Sequence, residues 1–419
     1  MKKKLFLALA CIVFVGVVVL GVSVVKQKQK ETAQKEKVLQ EQESLEQAKE
    51  DEKKNIKNHA TEWEKSALTS PTAGSLKAAG TMKITWNGAD SLGEVSGYKV
   101  YVDDQLVEST DAKTTTCTYY STEVTKHTIY VEADMKNGSV LNSDVNTFFV
   151  NKKGFCTNKD MAMNLNAEDW GVSWYYNWAM FPFKFTSFQS LDFVPMLWTI
   201  GPSDDRNMQL FNSYDFTYML CYNEPDLREQ ANLTVDEVMN GLETVFANKG
   251  DILVGAPATA LLPPWSKDWF QPFMEKVSAK NWEFDFFPLH HYWNWYDDEG
   301  ADAFIKLIED TYNMYHKPIW ITEFALSGVP AGDKRAEKVA RHYMRRVLKK
   351  LDELDYVERY AWFSFQTTDL RNGASSMFNH YTGEITDLGK VYMKEGMPEG
   401  YGDKQYSVSK ENPKADILK

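Results

Sequence analysis

Two glutamates, each closing an apolar run, are the residues of this chain best suited to chemistry. Tyr218-Met219-Leu220-Cys221-Tyr222 reads as a buried strand that stops at Asn223-Glu224-Pro225. Proline cannot continue a ladder and restricts the residue before it, so Glu224 is expected in extended geometry at a strand terminus. Pro318-Ile319-Trp320-Ile321-Thr322 repeats the pattern and ends on Glu323. Two strand-end carboxylates on one face suit glycosidic-bond hydrolysis. One protonates the leaving oxygen, and the other attacks the anomeric carbon or activates a water there. A Glu before Pro is common at strand and helix ends, so Asn-Glu-Pro alone is a weak signal; the pair, set among aromatics, is stronger.

The elements around these residues alternate. From about residue 155 the chain reads strand, loop, helix, repeatedly. Strands are expected at Trp170–Trp174, Phe193–Trp198, Phe216–Tyr222, Ile252–Ala256, Phe284–Leu289, Ile319–Thr322 and Tyr360–Phe365. Thr234-Val235-Asp236-Glu237 is a capping box for a helix running to about Asn248. Val339, Ala340, Tyr343, Val347, Leu348 and Leu351 share one face of a long helix. About 240 residues of this alternation suit a TIM-like (β/α) barrel, although seven strands rather than eight are legible and the barrel could be incomplete. A doubly wound sheet is the alternative, but no Gly-rich phosphate loop supports it. Chemistry in such barrels sits at the C-terminal strand ends. Those ends carry Trp174, Trp198, Asn223, Glu224, His290, His291, Tyr292, Trp293, Glu323 and Trp362. Vicinal strand residues face apart, so His290 and His291 cannot share a metal ion, and His290 should face the same way as Tyr292.

The 419 residues suit two or three domains. Aromatics make up 14%, which suits sugar-ring stacking as well as core filling. The net charge of −12 argues against nucleic acid and does not oppose a neutral polysaccharide. Four cysteines show no metal spacing and no disulfide framework. Lys2-Lys3-Lys4 precedes an apolar run, Leu5–Val25, about as long as a membrane-spanning helix. An uncleaved anchor over residues 1–25 is expected, with a cleaved signal peptide as the alternative. Residues 26–70 have the composition of a charged, solvated helical stalk. Residues 75–150 hold short alternating strands separated by Asn87-Gly88, Asp103-Asp104 and Asn137-Gly138, a β-sandwich pattern. Trp86, Tyr98-Lys99-Val100-Tyr101 and His127–Ala133 there resemble a fibronectin type III domain, expected to act as a spacer, with glycan binding as the alternative. The barrel would span residues 155–398. A polar tail, 399–419, lacks a core pattern and is expected to be loosely held. The layout suggests a single-pass, monomeric surface protein with its catalytic part outside the cell, or a secreted one.

A further resemblance covers about residues 165–395. Gly171–Trp178, Phe193–Trp198, Asn223–Asp226, Asp285–Tyr292, Lys317–Ala325, Tyr356–Phe363 and Gly383–Gly389 occur in the order seen in glycoside hydrolase family 128, the Asl1-like enzymes that cleave β-1,3-glucan. This resemblance implies a retaining barrel glycosidase without metal or organic cofactor. It makes Glu224 the acid/base and Glu323 the nucleophile, and gives Asn223 a hydrogen bond to the sugar 2-hydroxyl. It also makes Tyr292 the tyrosine that orients the nucleophile. His291 stands where a Trp is expected. Trp174, Trp198, Trp293 and Trp362 are stacking candidates, with Trp362 under the reacting sugar. Two alternatives remain open: a related glycanase for another β-glycan, and a non-catalytic surface protein that binds glycan.

Overall fold

The computed structural model describes residues 28–30, 32–51, 54, 61–202, 204–294, 299–403 and 405–410. Residues 32–51 are helical and exposed at every position, as their charged composition requires. Among the described residues no helix is long and apolar enough to cross a membrane. The expected anchor, Leu5–Val25, lies outside the described residues.

The first folded layer is a β-sandwich. One sheet pairs Leu68–Ser70, Gly80–Trp86 and Thr116–Ser121; the other orders Val145–Asn151, Lys126–Met135, Val95–Val102 and Gln105–Asp111 antiparallel. Trp86, Tyr98, Ile129 and Phe148 fill the space between them, and Trp63 packs in from the preceding helical turn. Gln105–Asp111 has no counterpart in the sequence reading. None of its residues is buried, so it carries no apolar alternation to detect.

The second layer is a closed parallel barrel of eight strands. They are β1 Lys153–Cys156, β2 Trp174–Tyr176, β3 (Asp192–Phe193 and Met196–Leu197, interrupted at Pro195), β4 Tyr218–Cys221, β5 Leu253–Val254, β6 Phe287–Trp293, β7 Ile319–Leu326 and β8 Val357–Trp362. Neighbours pair in parallel throughout, a single bridge between Gly255 and Phe286 joins β5 to β6, and β8 closes on β1. Helices such as Val235–Asn248, opened by the Thr234/Glu237 capping box, and Lys334–Glu353 cover the outside.

The barrel is therefore complete, and β1 is the strand missing from the sequence reading. Its approach is Lys152-Lys153, which resembles a polar linker. Both lysines are fully buried. The Lys152 ammonium donates to the carbonyls of Leu351, Asp352 and Leu354 at the C-terminal end of one helix. Lys153 donates to those of Tyr392, Met393 and Glu395 at the C-terminal end of another. Each cation thus satisfies orphan carbonyls at the negative end of a helix dipole. The expected first strand is also displaced: residues 167–170 form a 3-10 turn, Gly171 takes φ +59°, and the strand begins only at Trp174.

Sandwich and barrel join without a linker, since Val145–Asn151 runs into β1 after one residue. The sandwich closes the N-terminal end of the barrel. Arg359, fully buried there, donates through Nε to Ala79 O at 3.0 Å and pairs with Asp192 at 2.7 Å. Its guanidinium lies over Trp320, Tyr218 and Trp174 at 4.3, 4.6 and 5.6 Å, within cation–π range. Tyr218 Oη accepts from Thr81 N across the joint at 2.6 Å. A Cβ on Gly80 would lie 2.5 Å from that hydroxyl, so the contact needs glycine. The module forms an end-plate to the barrel. The tail is held as far as residue 410: Ser407–Val408 adds to the sandwich sheet beside Val145–Asn146, and Tyr406 packs on Phe149. Residues 411–419 lie outside the described residues.

Lys153→Met should lower the free energy of unfolding by about 3 kcal/mol or more, because each buried acceptor left unpaired costs about 1–3 kcal/mol. Urea denaturation of the two proteins measures this, and an unchanged midpoint would show the carbonyls to be satisfied otherwise.

Candidate active site

Glu323 faces the barrel mouth because β7 carries one residue too many. Leu289 and His290 of β6 pair with Ile321 and Glu323, and Tyr360 and Trp362 of β8 pair with Ile321 and Phe324. Thr322 is the extra residue against β6, and against β8 Thr322 and Glu323 together oppose Ala361, a β-bulge. Trp320 and Thr322 face the barrel interior, Ile321 and Phe324 face the helices, and the bulge turns Glu323 inward directly after Thr322. Without it, Glu323 would share the outward face of Ile321.

Glu224 is delivered differently. Beyond β4 the backbone takes left-handed geometry at Tyr222 (φ +55°) and at Glu224 itself (φ +43°). The extended conformation expected before Pro225 is not adopted. Glu224 N instead donates to Ala258 O at 2.8 Å, and Leu227 N to Glu224 O at 3.0 Å, which holds the turn. Such conformations cost on the order of 1–3 kcal/mol each and cluster at functional sites. Trp178 (φ +55°) is a third at the same mouth.

The two carboxylates meet at His290. One oxygen of Glu224, one of Glu323 and a ring nitrogen of His290 all lie within 4.8 Å of one another. Both glutamates are nearly buried, at 6% and 5% exposure. His290 Nδ1 lies 2.8 Å from Glu224 Oε1, and its Nε2 lies 3.5 Å from Glu323 Oε1. Burial alone would push the His290 pKa down. The Glu323 charge, with the Glu224 hydrogen bond and charge, outweighs it and raises it. His290 thus holds a proton more readily than its burial alone would allow, and its Nδ1 faces Glu224.

Glu323 is surrounded by donors. Tyr176 Oη donates to Oε1 at 2.9 Å, Trp178 Nε1 to Oε1 at 2.8 Å, and Tyr292 Oη to Oε2. Burial, then the Glu323 charge, raise both phenols well above their ordinary pKa, so they stay protonated and can only donate to it. The three bonds fix the orientation of the Glu323 carboxyl through both of its oxygens. Among the described residues, the Glu224 side chain has His290 as its hydrogen-bond partner. By donor type, Glu224, His290 and Glu323 could also hold a metal ion. The indole N–H of Trp178 can only donate, however, and it already occupies Glu323 Oε1.

These groups open into a cleft of about 1060 Å³, lined also by Trp198, Asn223, Gln230 and Phe363. Asn223 Nδ2 donates to Gln230 Oε1 at 3.2 Å, while its Oδ1 is buried without a partner among the described residues and is free to accept from a substrate hydroxyl. Of the expected site residues, Glu224, Glu323, Asn223, His290, Tyr292 and Trp198 come together at this mouth. Three tryptophans do not. Trp174 lies on the inward face but at the bottom of the barrel, under Arg359, with its N–H on Lys152 O. The later start of β2 puts Tyr176 and Trp178, two and four residues on, at the height assigned to Trp174. Trp293 and Trp362 have the wrong parity. Trp293 follows His291 into the helix layer, and Trp362 faces Phe324 and Tyr343 with its N–H on Ser375 O. Phe363, one residue later, takes the cleft position expected for Trp362 and packs edge-on to Tyr292 and Trp178. Tyr176 and Gln230 had no signal of their own, although Tyr176 has the parity of Trp174 and Trp178.

This arrangement defines a class: a (β/α)8 glycosidase with a close-set carboxylate pair at the C-terminal strand ends. Residues 152–392 match the family described as Glycosyl hydrolase catalytic core, and the chain belongs to that family. Residues 65–131 match the Bacterial Ig domain, an immunoglobulin-like module that fits the small extra domain expected there. Within its family the barrel groups with glycoside hydrolase family 128. A family 128 (subgroup I) endo-β-1,3-glucanase from Amycolatopsis mediterranei, solved with laminaritriose and laminaribiose, is 28% identical with a TM-score of 0.51, covering 58% of this chain and 99% of that one. The same enzyme with laminarihexaose gives 27% and 0.50, over 59% and 100%. Alkali-sensitive linkage protein 1 of Schizosaccharomyces pombe is 26% identical over 244 residues, which are 56% of this chain and 42% of that protein. The chain thus matches less than half the length of this curated relative.

His291, stacked on Phe304 outside the cleft, has its imidazole pushed by burial down to about 4 from 6.5. The unfolded chain therefore binds a proton that the folded one refuses between those values, and stability must fall as pH drops through that window. His291→Phe keeps the ring and removes the titration. It should abolish about 3 kcal/mol of the acid-side loss, at 1.36 kcal/mol per pKa unit, in unfolding measured from pH 7 to 4. Parallel losses in both proteins would refute this reading.

Proposed function

We propose that the chain is an endo-acting β-1,3-glucanase that works by double displacement with retention of anomeric configuration. The observation that carries this reading is the asymmetry of the carboxylates: three donors point at Glu323, while among the described residues Glu224 meets only the His290 ring, at a spacing within 4.8 Å. That spacing suits the retaining class, where the carboxyl groups stand about 5–5.5 Å apart, better than the about 6.5–9.5 Å of inverting enzymes. Glu224 would protonate the glycosidic oxygen as Glu323 attacks the anomeric carbon, so that the leaving chain departs as an alcohol and a glycosyl ester forms on Glu323. Glu224, now a carboxylate, would take a proton from water as that water displaces Glu323, which restores both groups. Asn223 Oδ1 would accept from the 2-hydroxyl. The substrate class rests on the laminari-oligosaccharides bound by the Amycolatopsis enzyme. A cleft of about 1060 Å³, just above the about 300–1,000 Å³ range of small-molecule sites, suits a polymer.

Linear β-1,3-glucan should be cut to short oligosaccharides whose reducing ends appear first as the β-anomer in proton NMR. Glu224→Gln should lose about 10²–10⁴-fold of the rate, the usual contribution of a general acid/base. First appearance of the α-anomer would overturn the retaining mechanism, and hydrolysis of β-1,4-glucan, xylan or mannan alone would move the substrate.

We further propose that Leu5–Val25 anchors the chain in the cell membrane and that the exposed helix over residues 32–51 spaces the barrel from it, outside the cell. Protease added to intact cells should then release the barrel; complete protection would sink this placement.

A further inference from the structure

The cleft extends well beyond the carboxylates, across the loops that follow β1 and β8. Asp160, Met163 and Asn164 line it from the first loop, and Gln366, His380 and Tyr381 from the second. These two strands are neighbours, on the opposite side of the barrel from β4 and Glu224. Here the wall turns apolar side chains to water: Met163 is 58% exposed and Tyr381 82% exposed. A single exposed aromatic is ordinary on a mobile surface, but the backbone beneath this one is tied down. Asn164 Nδ2 donates to the carbonyls of both His380 and Tyr381 at 3.0 Å. Tyr381 N donates to Asn379 Oδ1 at 2.9 Å, and Gly383 N to Asn379 O at 2.8 Å, inside a turn closed by the Phe378–Ile385 bridge. The two loops also touch by backbone, since a Cβ on Gly383 (φ +73°) would stand 2.2 Å from Asn164 O. No ring of the described residues packs on Tyr381, although rings crowd the rest of the cleft floor at Trp178, Tyr292, Phe363 and Phe365.

A tyrosine held on a rigid turn presents a large amphipathic face with little conformational entropy left to lose on binding. The apolar C–H face of a pyranose is its natural complement. We propose that Tyr381 is a stacking platform for a sugar residue remote from the scissile bond, so that the linked β1 and β8 loops make the enzyme prefer long chains. This rests on the cleft being the glycan site and adds to that reading the residue that sets chain-length preference. Tyr381 takes no part in bond making; it holds substrate that reaches past the carboxylates.

The test is Tyr381→Ala and Tyr381→Trp in the full chain, with kcat/KM measured on a ladder of linear β-1,3-gluco-oligosaccharides and on the polymer. The Ala variant should lose progressively more as chains lengthen, reaching about tenfold on the polymer through KM, the loss typical of removing one aromatic anchor. The Trp variant should keep the wild-type ladder. A loss equal at every length, or none at any, overturns the platform. If wild type cleaves no member of the ladder, the glucanase reading falls separately. The platform is then decided by affinity electrophoresis of Glu323→Gln, with and without Tyr381→Ala, in β-1,3-glucan, β-1,4-glucan, xylan and mannan. Weaker retardation of the double variant supports it, and equal or absent retardation in all four refutes it.

Discussion

The inserted residue Thr322 is the constraint on which the site depends. A strand alternates its side chains, and β7 is apolar on both faces, with Ile319 and Ile321 in the outer core and Trp320 in the inner one. One extra residue breaks the alternation and converts a buried structural strand into the carrier of a carboxylate. The consequences spread to both neighbours. His290 is brought level with Glu323 across the β6 register shift, and Tyr292, two residues on, reaches the other carboxylate oxygen. Tyr176 and Trp178 converge from β2 and its following loop on the first oxygen. A buried negative charge is tolerated only when such donors replace its water.

The opposite end of the barrel has its own buried charge. Arg359 sits where an open barrel end would admit water, caged by Trp174, Tyr218 and Trp320 and bonded to the sandwich through Ala79. With Val145–Asn151 continuing into β1 and the segment Ser407–Val408 returning to the sandwich sheet, the chain crosses the joint at both ends of the barrel domain. The immunoglobulin-type module is thus part of the framework that fixes strand positions, and through them the mouth. Lys152 and Lys153 extend this logic, since they hold two helix ends against β1 from inside the protein.

Sequence periodicity was legible where one face of an element is buried and the other is wet. The helices Val235–Asn248 and Lys334–Glu353 and most sandwich strands are of that kind. It failed where both faces are buried or neither is. β1 hides behind two lysines whose charges find carbonyls only in three dimensions, and Gln105–Asp111 buries nothing. Within the site, residue types at strand ends identified Glu224, Glu323, Asn223 and Tyr292, and narrowed the histidine to His290 or His291. The errors at Trp174, Trp293 and Trp362 are errors of height or parity, each a matter of one to four residues along a strand.

By itself, then, the sequence determined the chemistry and the architecture: a carboxylate pair on strand ends, an alternating β/α barrel behind a small sandwich, and the ordered words that tie it to a glycosidase family. These depend on residue identity and local period, which a linear chain carries. Only the tertiary structure decided which aromatic rings reach the cleft, which histidine bridges the glutamates, and that Glu323 faces the barrel mouth when simple alternation from Ile321 would turn it outward. Those outcomes depend on register, bulges and strand height, and these exist only once neighbouring strands have paired.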